Sequence, residues 1–438
     1  MSMIAEAVSG VPLMEGAIVE GSWPEWFLAS RQRGWEAFQS LPLPEAKNEH
    51  WRFSNVKALA LDGFRYPGEV TDPASLVARS TGLGEASARF VFGNNRLLAA
   101  TEPAAELLAA GLVVMSLEEA ATQHADVVQK HFMARETKLG SAKFAALHRS
   151  GPVAGVFIRV PKNLEVPHPI EIFHWVEGDR SAVFPHTLIV SEAHSKATVV
   201  DCFRTADDQP ALACGVNDLV VGDGAKLNYV AVQEWSRDAT AFHLNSTTVG
   251  RDATCLGMQV NLGGRFVRGE SYSRMVAEGA RSDMLSVNIA SGEQMIDQRT
   301  FQDHAKPQAS SDLLYQNALT GKSRTIFSGV IRVEPGAHRT DAYQKVRNIV
   351  LSDEAEANSM PGLEIEADDV RCTHGATTSQ VDDRELFYLL ARGIRPEAAQ
   401  QLLVMGFFNT VLDRLPEAKL RGHIEGLVEK RLAQALRE

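Results

Sequence analysis

The chain has 438 residues, more than a single hydrophobic core usually accommodates, so we expect two or three domains or one elongated repeat body. Its formal net charge of −11, without a dense block of lysine and arginine, disfavours contact with a nucleic acid backbone. No run approaches the ~18 apolar residues that a membrane helix requires. The first residues show no basic stretch ahead of an apolar one, so we expect no signal peptide and a cytoplasmic location.

Residues 1–150 have the pattern of a mixed, mainly helical domain. Phe27, Trp35 and Phe38 recur at roughly helical spacing, which predicts an amphipathic helix near residues 22–40. Ser116 and Glu119 have the spacing of a capping box, which predicts another helix running to about residue 132. Short strands are expected just before that helix and near residue 90.

Between residues 151 and 382 the pattern changes to short β-branched runs such as VAGVFIRV, TLIVS and NIVLS. No ten-residue helical stripe separates these runs, so an all-β body is predicted rather than parallel strands crossed over by helices. A turn recurs at Ser195, Ala225, Ala253 and Ala280, at intervals of 30, 28 and 27 residues. This period favours the coils of a β-helix. The alternative is a large Greek-key sandwich whose turns have this spacing by coincidence.

Residues 383–438 return to helical signals. RELFYLLARG predicts one short amphipathic helix, AAQQLLVMGFFNTVLDRL a second, and a stripe of apolar residues from Leu420 to Leu432 a third. Such stripes are usually buried in a core. Three helices alone have too little core to use every apolar face, so a groove for a partner is the second interpretation.

The four cysteines, Cys202, Cys214, Cys255 and Cys372, include no CxxC pair, which fits reduced thiols in a cytosolic protein. In DVRCTHGATTSQ, Cys372 and His374 lie two positions apart, so on an extended segment they would offer a thiolate and an imidazole on one side. Two ligands cannot complete a tetrahedral metal site. Either a neighbouring protein supplies the other ligands, or the pair is structural, a buried cysteine beside a hydrogen-bonded histidine.

The sequence around this pair resembles the SufB/SufD family of iron–sulfur cluster assembly proteins. The resemblance is carried by GAHRTDAYQ, DEAEANSMPGLEI, CTHGAT and FYLLARGI in one order, with TLIVSEAHSKATVV and EHWRFSNVKAL upstream. It covers most of the chain from about residue 45. It implies a mainly β fold in which a right-handed parallel β-helix core is flanked by helical N- and C-terminal domains. We place the three parts at residues 1–150, 151–382 and 383–438.

Within the family the chain resembles SufD rather than SufB. His374 is followed by Gly375, where SufB proteins have glutamate. No cysteine lies between Cys255 and Cys372, where SufB carries the cysteine thought to hold the nascent cluster. The resemblance therefore implies a non-catalytic scaffold subunit of the SUF (SufBCD) complex, paired with a SufB-like scaffold and a SufC-like ATPase.

The resemblance also implies where the partners bind. His374, and less firmly Cys372, match positions that face SufB at a transient iron–sulfur cluster-assembly site. Leu403, Phe407 and Phe408 fall on the penultimate helix, where SufD-like proteins meet the ATPase. A flavin has been associated with such complexes, although no residue here can be assigned to it. We expect the isolated chain to hold no cofactor and to be free to pair with a second copy of itself.

Two other functions stay open on the sequence. One is a β-helix carbohydrate-active enzyme, since that fold commonly presents acidic residues along a groove. The other is a homo-oligomeric structural protein. The chain contains neither a GxSxG nucleophile elbow nor an HExxH motif, and the GKS at 321–323 lacks the first glycine of a phosphate-binding loop. Activity on acidic polysaccharides would favour the enzyme, and capture of an ATPase subunit would exclude the structural protein.

Overall fold

The computed structural model describes residues 23–56, 59, 61, 63–135 and 137–438. Residues 1–22, in which we expect no signal peptide, lie outside these ranges, as does part of EHWRFSNVKAL. The helices are α1 (Glu25–Ser40), α2 (Pro73–Arg79), α3 (Ala105–Ala109), α4 (Leu117–Gln123), α5 (Ala125–His131), α6 (Ala142–Ser150), α7 (Asp383–Ala391), α8 (Pro396–Leu412) and α9 (Ala418–Ala435). None of the helices in these ranges has the length and apolar character needed to cross a membrane.

The strands form two large sheets that face each other. They are β1 (Ala88–Gly93), β2 (Arg96–Thr101), β3 (Val113–Ser116), β4 (Ala154–Val160), β5 (Ile170–Val176), β6 (Ser181–Val183), β7 (Pro185–Ser191), β8 (Lys196–Thr205), β9 (Ala211–Val221), β10 (Lys226–Glu234), β11 (Thr240–Val249), β12 (Thr254–Asn261), β13 (Phe266–Met275), β14 (Arg281–Ala290), β15 (Met295–His304), β16 (Ser310–Leu319), β17 (Arg324–Val333), β18 (Asp341–Val350), β19 (Glu356–Ile365) and β20 (Arg371–Ser379). Sheet 1 has the order β2-β1-β5-β8-β10-β12-β14-β16-β18-β20, and sheet 2 the order β19-β17-β15-β13-β11-β9-β7-β4-β3, with β6 beside β9.

The core is a parallel β-helix of about 8 turns. Each coil adds one strand to each sheet, and successive coils pair in parallel. The backbone amide that follows each turn residue donates to the turn residue of the preceding coil. The turn residues that stack in this way are Ser195, Ala225, Ala253 and Ala280. The predicted β-helix is confirmed, and the Greek-key interpretation is wrong, because a Greek key pairs its strands antiparallel.

A ladder of buried asparagines holds the later coils in register. Side chains along each strand alternate between the interior and the outside, and Asn261, Asn288, Asn317 and Asn348 occupy the same interior position in four coils. Each side-chain amide donates to the next asparagine, at 2.6, 2.8 and 2.7 Å. Asn348 in turn donates to the hydroxyl of Thr378 in the last coil, at 3.1 Å. A slip of one residue would break every step of this ladder.

The segment of residues 49–54, here called the N-terminal segment, is anchored to the outer face of sheet 2 by the fully buried Arg268. Its guanidinium carbon lies 3.8 Å from the ring centre of Trp51, and the group donates to the carbonyl oxygen of His50 at 2.9 Å. The carboxylates of Glu270 and Asp297 balance its charge. Because a buried carboxylate without a counter-ion is costly, a second buried arginine, Arg299, contributes the other positive charge by pairing with Asp297 at 2.6 Å.

The C-terminal helices α8 and α9 cover the outer face of sheet 1. Their buried residues form one apolar cluster with outward-facing residues of β10, β12, β14 and β16. Four residues of the stripe predicted from the sequence lie in this cluster, namely Leu420, Ile424, Val428 and Leu432, and the fifth, Leu427, is partly buried against it. The first C-terminal helix, α7, packs against α8 but has no buried residue of its own.

The first 150 residues contribute to the β-helix as well as covering it. β1 pairs in parallel with β5, and β3 pairs antiparallel with β4, so both sheets continue past the predicted boundary at residue 151. These strands cover edges of the first coil that would otherwise stay unpaired. The capping box predicted at Ser116 and Glu119 is present at the start of α4.

Replacing Asn317 by alanine tests the ladder. The side-chain oxygen of Asn317 accepts from Asn288 and Gln298, both at 2.8 Å, and its nitrogen donates to Asn348. Leaving buried partners unsatisfied costs ~1–3 kcal/mol each, so Asn317→Ala is expected to lower the stability by about 3 kcal/mol or more. The measurement is the urea midpoint, compared with Asn358→Ala on the outer side of β19. Equal midpoints for the two variants would contradict the role of the ladder.

Candidate functional site

The last coil of the β-helix is uncapped. β19 and β20 are the terminal strands of their sheets, and each pairs with one strand only among the described residues. Side chains that would be interior in any other coil are therefore uncovered. Leu363 and Ile365, on the inward side of β19, are 36% and 42% exposed. The end of the core thus presents open strand edges and an apolar inner surface.

Cys372 and His374 both lie on β20, with their side chains toward the interior of the coil. In the parallel ladder Cys372 is in register with Ala342, and His374 with Gln344. Ala342 and Gln344 are buried, whereas Tyr343 between them is 40% exposed on the outside. Because β20 continues this alternation, the cysteine and the histidine share the inward side, as the sequence predicts.

Cys372 is half-buried at the inner end of the core. It packs against a small apolar cluster made of Ile331, Val333, Ala337 and Ala342. Burial raises the pKa of its thiol above the ordinary value, and the carboxylate of Asp341 adds to this effect, while a backbone hydrogen bond at Ala342 opposes it. At neutral pH the group is a thiol, which must lose its proton before it can bind a metal.

His374 is exposed at the open end, and no described residue forms a hydrogen bond with its imidazole. Its ring nitrogens are therefore available to a ligand or to a partner. Within the described residues, no three histidine, cysteine, aspartate or glutamate side chains are grouped to hold a metal ion. Cys372 and His374 together offer one sulfur and one nitrogen ligand, half of a tetrahedral set.

The remaining cysteines belong to the core. Cys202, Cys214 and Cys255 are buried, and none of the four cysteines forms a disulfide. Burial raises the pKa of all three thiols, that of Cys255 to about 12. These thiols are thus protonated and inaccessible, and Cys372 is the cysteine that a partner can reach.

The three residues predicted to meet an ATPase, Leu403, Phe407 and Phe408, differ in how far they are buried. Phe408 is 0% exposed and belongs to the cluster beneath α8, so its placement on a partner surface is corrected: it is a core residue. Leu403 and Phe407 are half-buried on the same helix. The guanidinium of Arg347 lies 5.1 Å from the ring centre of Phe407.

The sequence prediction missed the most exposed aromatic residues of the C-terminal helices. Phe387 and Tyr388 on α7 are 71% and 57% exposed. Adjacent positions on a helix point about 100° apart, so the Phe-Tyr pair was itself a signal that both rings could not enter one core. Phe387 and Tyr388 of α7, like the half-buried Leu403 and Phe407 of α8, are thus apolar side chains of the C-terminal helices that a partner can reach.

These features define a β-helix protein that carries a cysteine and a histidine at the open end of its core. A model of the SufBD N-terminal region matches residues 15–172, and one of the SUF system FeS cluster assembly SufBD core domain matches residues 174–407, more than half of the chain. The chain belongs to the SufBD family of iron–sulfur cluster assembly proteins.

Two similar proteins match along nearly the whole length of the chain, and a third matches over 64% of it. The iron–sulfur cluster assembly protein SufD of Bacillus subtilis (strain 168) is 28% identical over 93% of this chain and 94% of its own. A SufBD family protein of Synechocystis sp. is 28% identical over 96% of this chain and 94% of its own. One from Mycobacterium bovis is 30% identical over 64% of this chain and 71% of its own.

The accessibility of Cys372 can be tested with a thiol reagent. We expect one of the four thiols to react in the folded chain, and Cys372→Ser to abolish this reaction, because the other three are buried. The thiolate is the form that reacts, and the pKa of the Cys372 thiol is raised. The reaction rate of Cys372 should therefore increase with pH over a higher pH range than the reaction rate of free cysteine. The measurement is the rate of reaction with Ellman's reagent against pH, and unchanged labelling of Cys372→Ser would contradict the assignment.

Proposed function

We propose that the chain is a SufD-like scaffold subunit of a SUF (SufBCD) complex in the cytoplasm. In this proposal it pairs with a SufB-like scaffold through its open last coil and holds a SufC-like ATPase on its C-terminal helices. It performs no catalysis itself. The observation that carries the proposal is the position of Cys372 and His374 on the inward side of an uncapped coil.

The open strand edges and uncovered apolar side chains of the last coil favour the binding of a partner protein at this end. Unpaired strand edges and uncovered apolar side chains are liabilities in a free protein, and natural sheets usually cover them. Leu363 and Ile365 remain uncovered because no further coil follows β19. A second β-helix placed against this end would pair the edges and enclose the inner surface. In the isolated chain, a second copy could take its place.

In this arrangement the nascent iron–sulfur cluster is cargo, held briefly between two proteins. His374 supplies an imidazole nitrogen, and Cys372 supplies a thiolate once its proton has been lost. The partner supplies the remaining ligands, because a cluster needs about four. A site made of two halves can release its cargo when the halves separate, which gives the ATPase a mechanical role.

The competing carbohydrate-active enzyme has less support. Such an enzyme needs acidic side chains along an accessible groove. Glu270 and Asp297 lie side by side on the outer face of sheet 2, but both are buried beneath the N-terminal segment and paired with Arg268. They are therefore structural groups and not available to a substrate.

His374→Ala tests the assembly site. We expect the complex and its ATPase activity to stay intact, because an exposed side chain adds little to stability. Cluster maturation should fall at least about tenfold, since even an outer-shell partner of a metal ligand is typically worth about that much. Cys372→Ser should have a weaker effect. The measurement is complementation of a strain lacking this subunit, with co-purification as the check on assembly.

The matched control is His338→Ala, which removes another exposed histidine, at the turn before β18, whose ring bonds to the carbonyl oxygen of Asp368 at 2.9 Å. This variant should support normal maturation. If His374→Ala also supports normal maturation, His374 is not part of the assembly site.

Phe387→Asp tests the ATPase surface. A charge placed in an apolar interface is costly without a counter-ion, so capture of the SufC-like subunit should weaken at least about tenfold while the chain stays folded. Phe408→Asp should instead unfold the C-terminal helices, because Phe408 is in the core. Capture of the SufC-like subunit is measured by pull-down, and the folding of each variant is measured by circular dichroism. A folded Phe387→Asp variant with unchanged capture would contradict the placement of the ATPase on this surface.

A further inference from the structure

Gln344 lies directly behind His374, in the next-to-last coil. The two residues are in register on the paired strands β18 and β20, and both side chains project inward. Gln344 is completely buried, and its side-chain nitrogen donates to the carbonyl oxygen of Gly329 at 3.3 Å. Its side-chain oxygen is buried and accepts no hydrogen bond from any described residue. Gln344 thus presents an unused acceptor beside the open end.

The surroundings hold this amide in place. Gly329, across the interior on β17, leaves just enough room for it, since a Cβ atom at this glycine would lie 2.6 Å from the side-chain nitrogen of Gln344. Behind Gln344 in the same interior row is the apolar Leu313, which offers no donor. The nitrogen is thus bonded to Gly329, and two groups are placed to donate to the oxygen: a side chain of the last coil, and the hydroxyl of Thr300 beside Gly329, which also has no hydrogen-bond partner among the described residues.

His374 can supply that donor. Strands of one sheet lie about 4.8 Å apart, so in-register side chains as long as glutamine and histidine can reach each other. A buried acceptor without a partner is unfavourable, which favours turning the imidazole inward to donate an N–H. The bond would also fix which ring nitrogen carries the proton.

We propose that Gln344 is a positioning residue for His374: its side-chain oxygen accepts a hydrogen bond from one imidazole nitrogen and leaves the other nitrogen unprotonated and facing the open end. Histidines that bind metals commonly use their second nitrogen in this way. The proposal rests on the proposed function, in which the outward nitrogen binds the cargo. The positioning role adds to the site a residue of the next-to-last coil, Gln344 on β18.

The first test reads the tautomer of His374 by nitrogen NMR of chain labelled with ¹⁵N-histidine, at alkaline pH where imidazoles are neutral. The His374 signals are identified by their absence in His374→Ala. We expect a single dominant tautomer in the native chain, a mixture in Gln344→Leu, and recovery of one tautomer in Gln344→Glu, whose carboxylate also accepts. Gln259→Leu is the control, because Gln259 is another interior glutamine, which donates to Ser271 and lies three coils before β18 on sheet 1.

The second test follows cluster maturation in cells that carry the same variants. Gln344→Leu should lower maturation by about tenfold with the complex intact, the lower end of what outer-shell partners contribute, and Gln259→Leu should not. If Gln344→Leu is unstable by circular dichroism, Gln344→Met, which keeps the length and removes the acceptor, replaces it in both tests.

The outcomes separate the two proposals. If His374→Ala impairs maturation but loss of the Gln344 acceptor changes neither the tautomer nor maturation, the positioning role is overturned and the proposed function stands. If His374→Ala has no effect on maturation, the assembly site itself fails. A mixed tautomer in Gln344→Leu, reduced maturation and recovery of both in Gln344→Glu support the positioning role.

Discussion

The in-register stacking of coils is the constraint on which the rest of this structure depends. The interior asparagine ladder allows each of the later coils only one position relative to the next. Because side chains alternate along a strand, a slip of one residue in β20 would turn Cys372 and His374 to the outside. The ladder ends at Thr378 on that same strand. The bonds that stabilise the core therefore also aim the cysteine and the histidine into its open end.

The coverage of the β-helix determines where a partner can bind. The N-terminal segment, anchored by Arg268, lies on the outer face of sheet 2, and α8 and α9 lie on that of sheet 1. The first coil is covered by β1 and β3. The last coil has no such cover among the described residues. In the proposed function, a scaffold that hands its product on needs one exposed surface, and the fold leaves one open beside Cys372 and His374.

Much of the fold follows from local sequence rules, while the site depends on long-range placement. The turn period predicts the β-helix because each coil repeats nearly the same number of residues. The Cys-x-His spacing predicts that the two side chains share one side of any strand. Phe407 and Phe408 show the limit: the sequence does not tell which of the two adjacent rings is fully buried, and only the packing against sheet 1 places Phe408 in the core and leaves Phe407 half-buried at its edge. The acceptor of Gln344 lies 30 positions from His374, so only strand pairing reveals their proximity.

The most direct test of this account places a photocrosslinking amino acid at Leu363, on the inward side of the last coil, in cells that express the whole complex. The account predicts a covalent adduct with a second SufBD family protein, because the partner must enclose that surface. The same amino acid at Leu108, an exposed residue of α3 far along the chain, should give none. A complex that co-purifies intact but forms no such adduct at Leu363 would contradict the central claim that the open coil is the assembly interface.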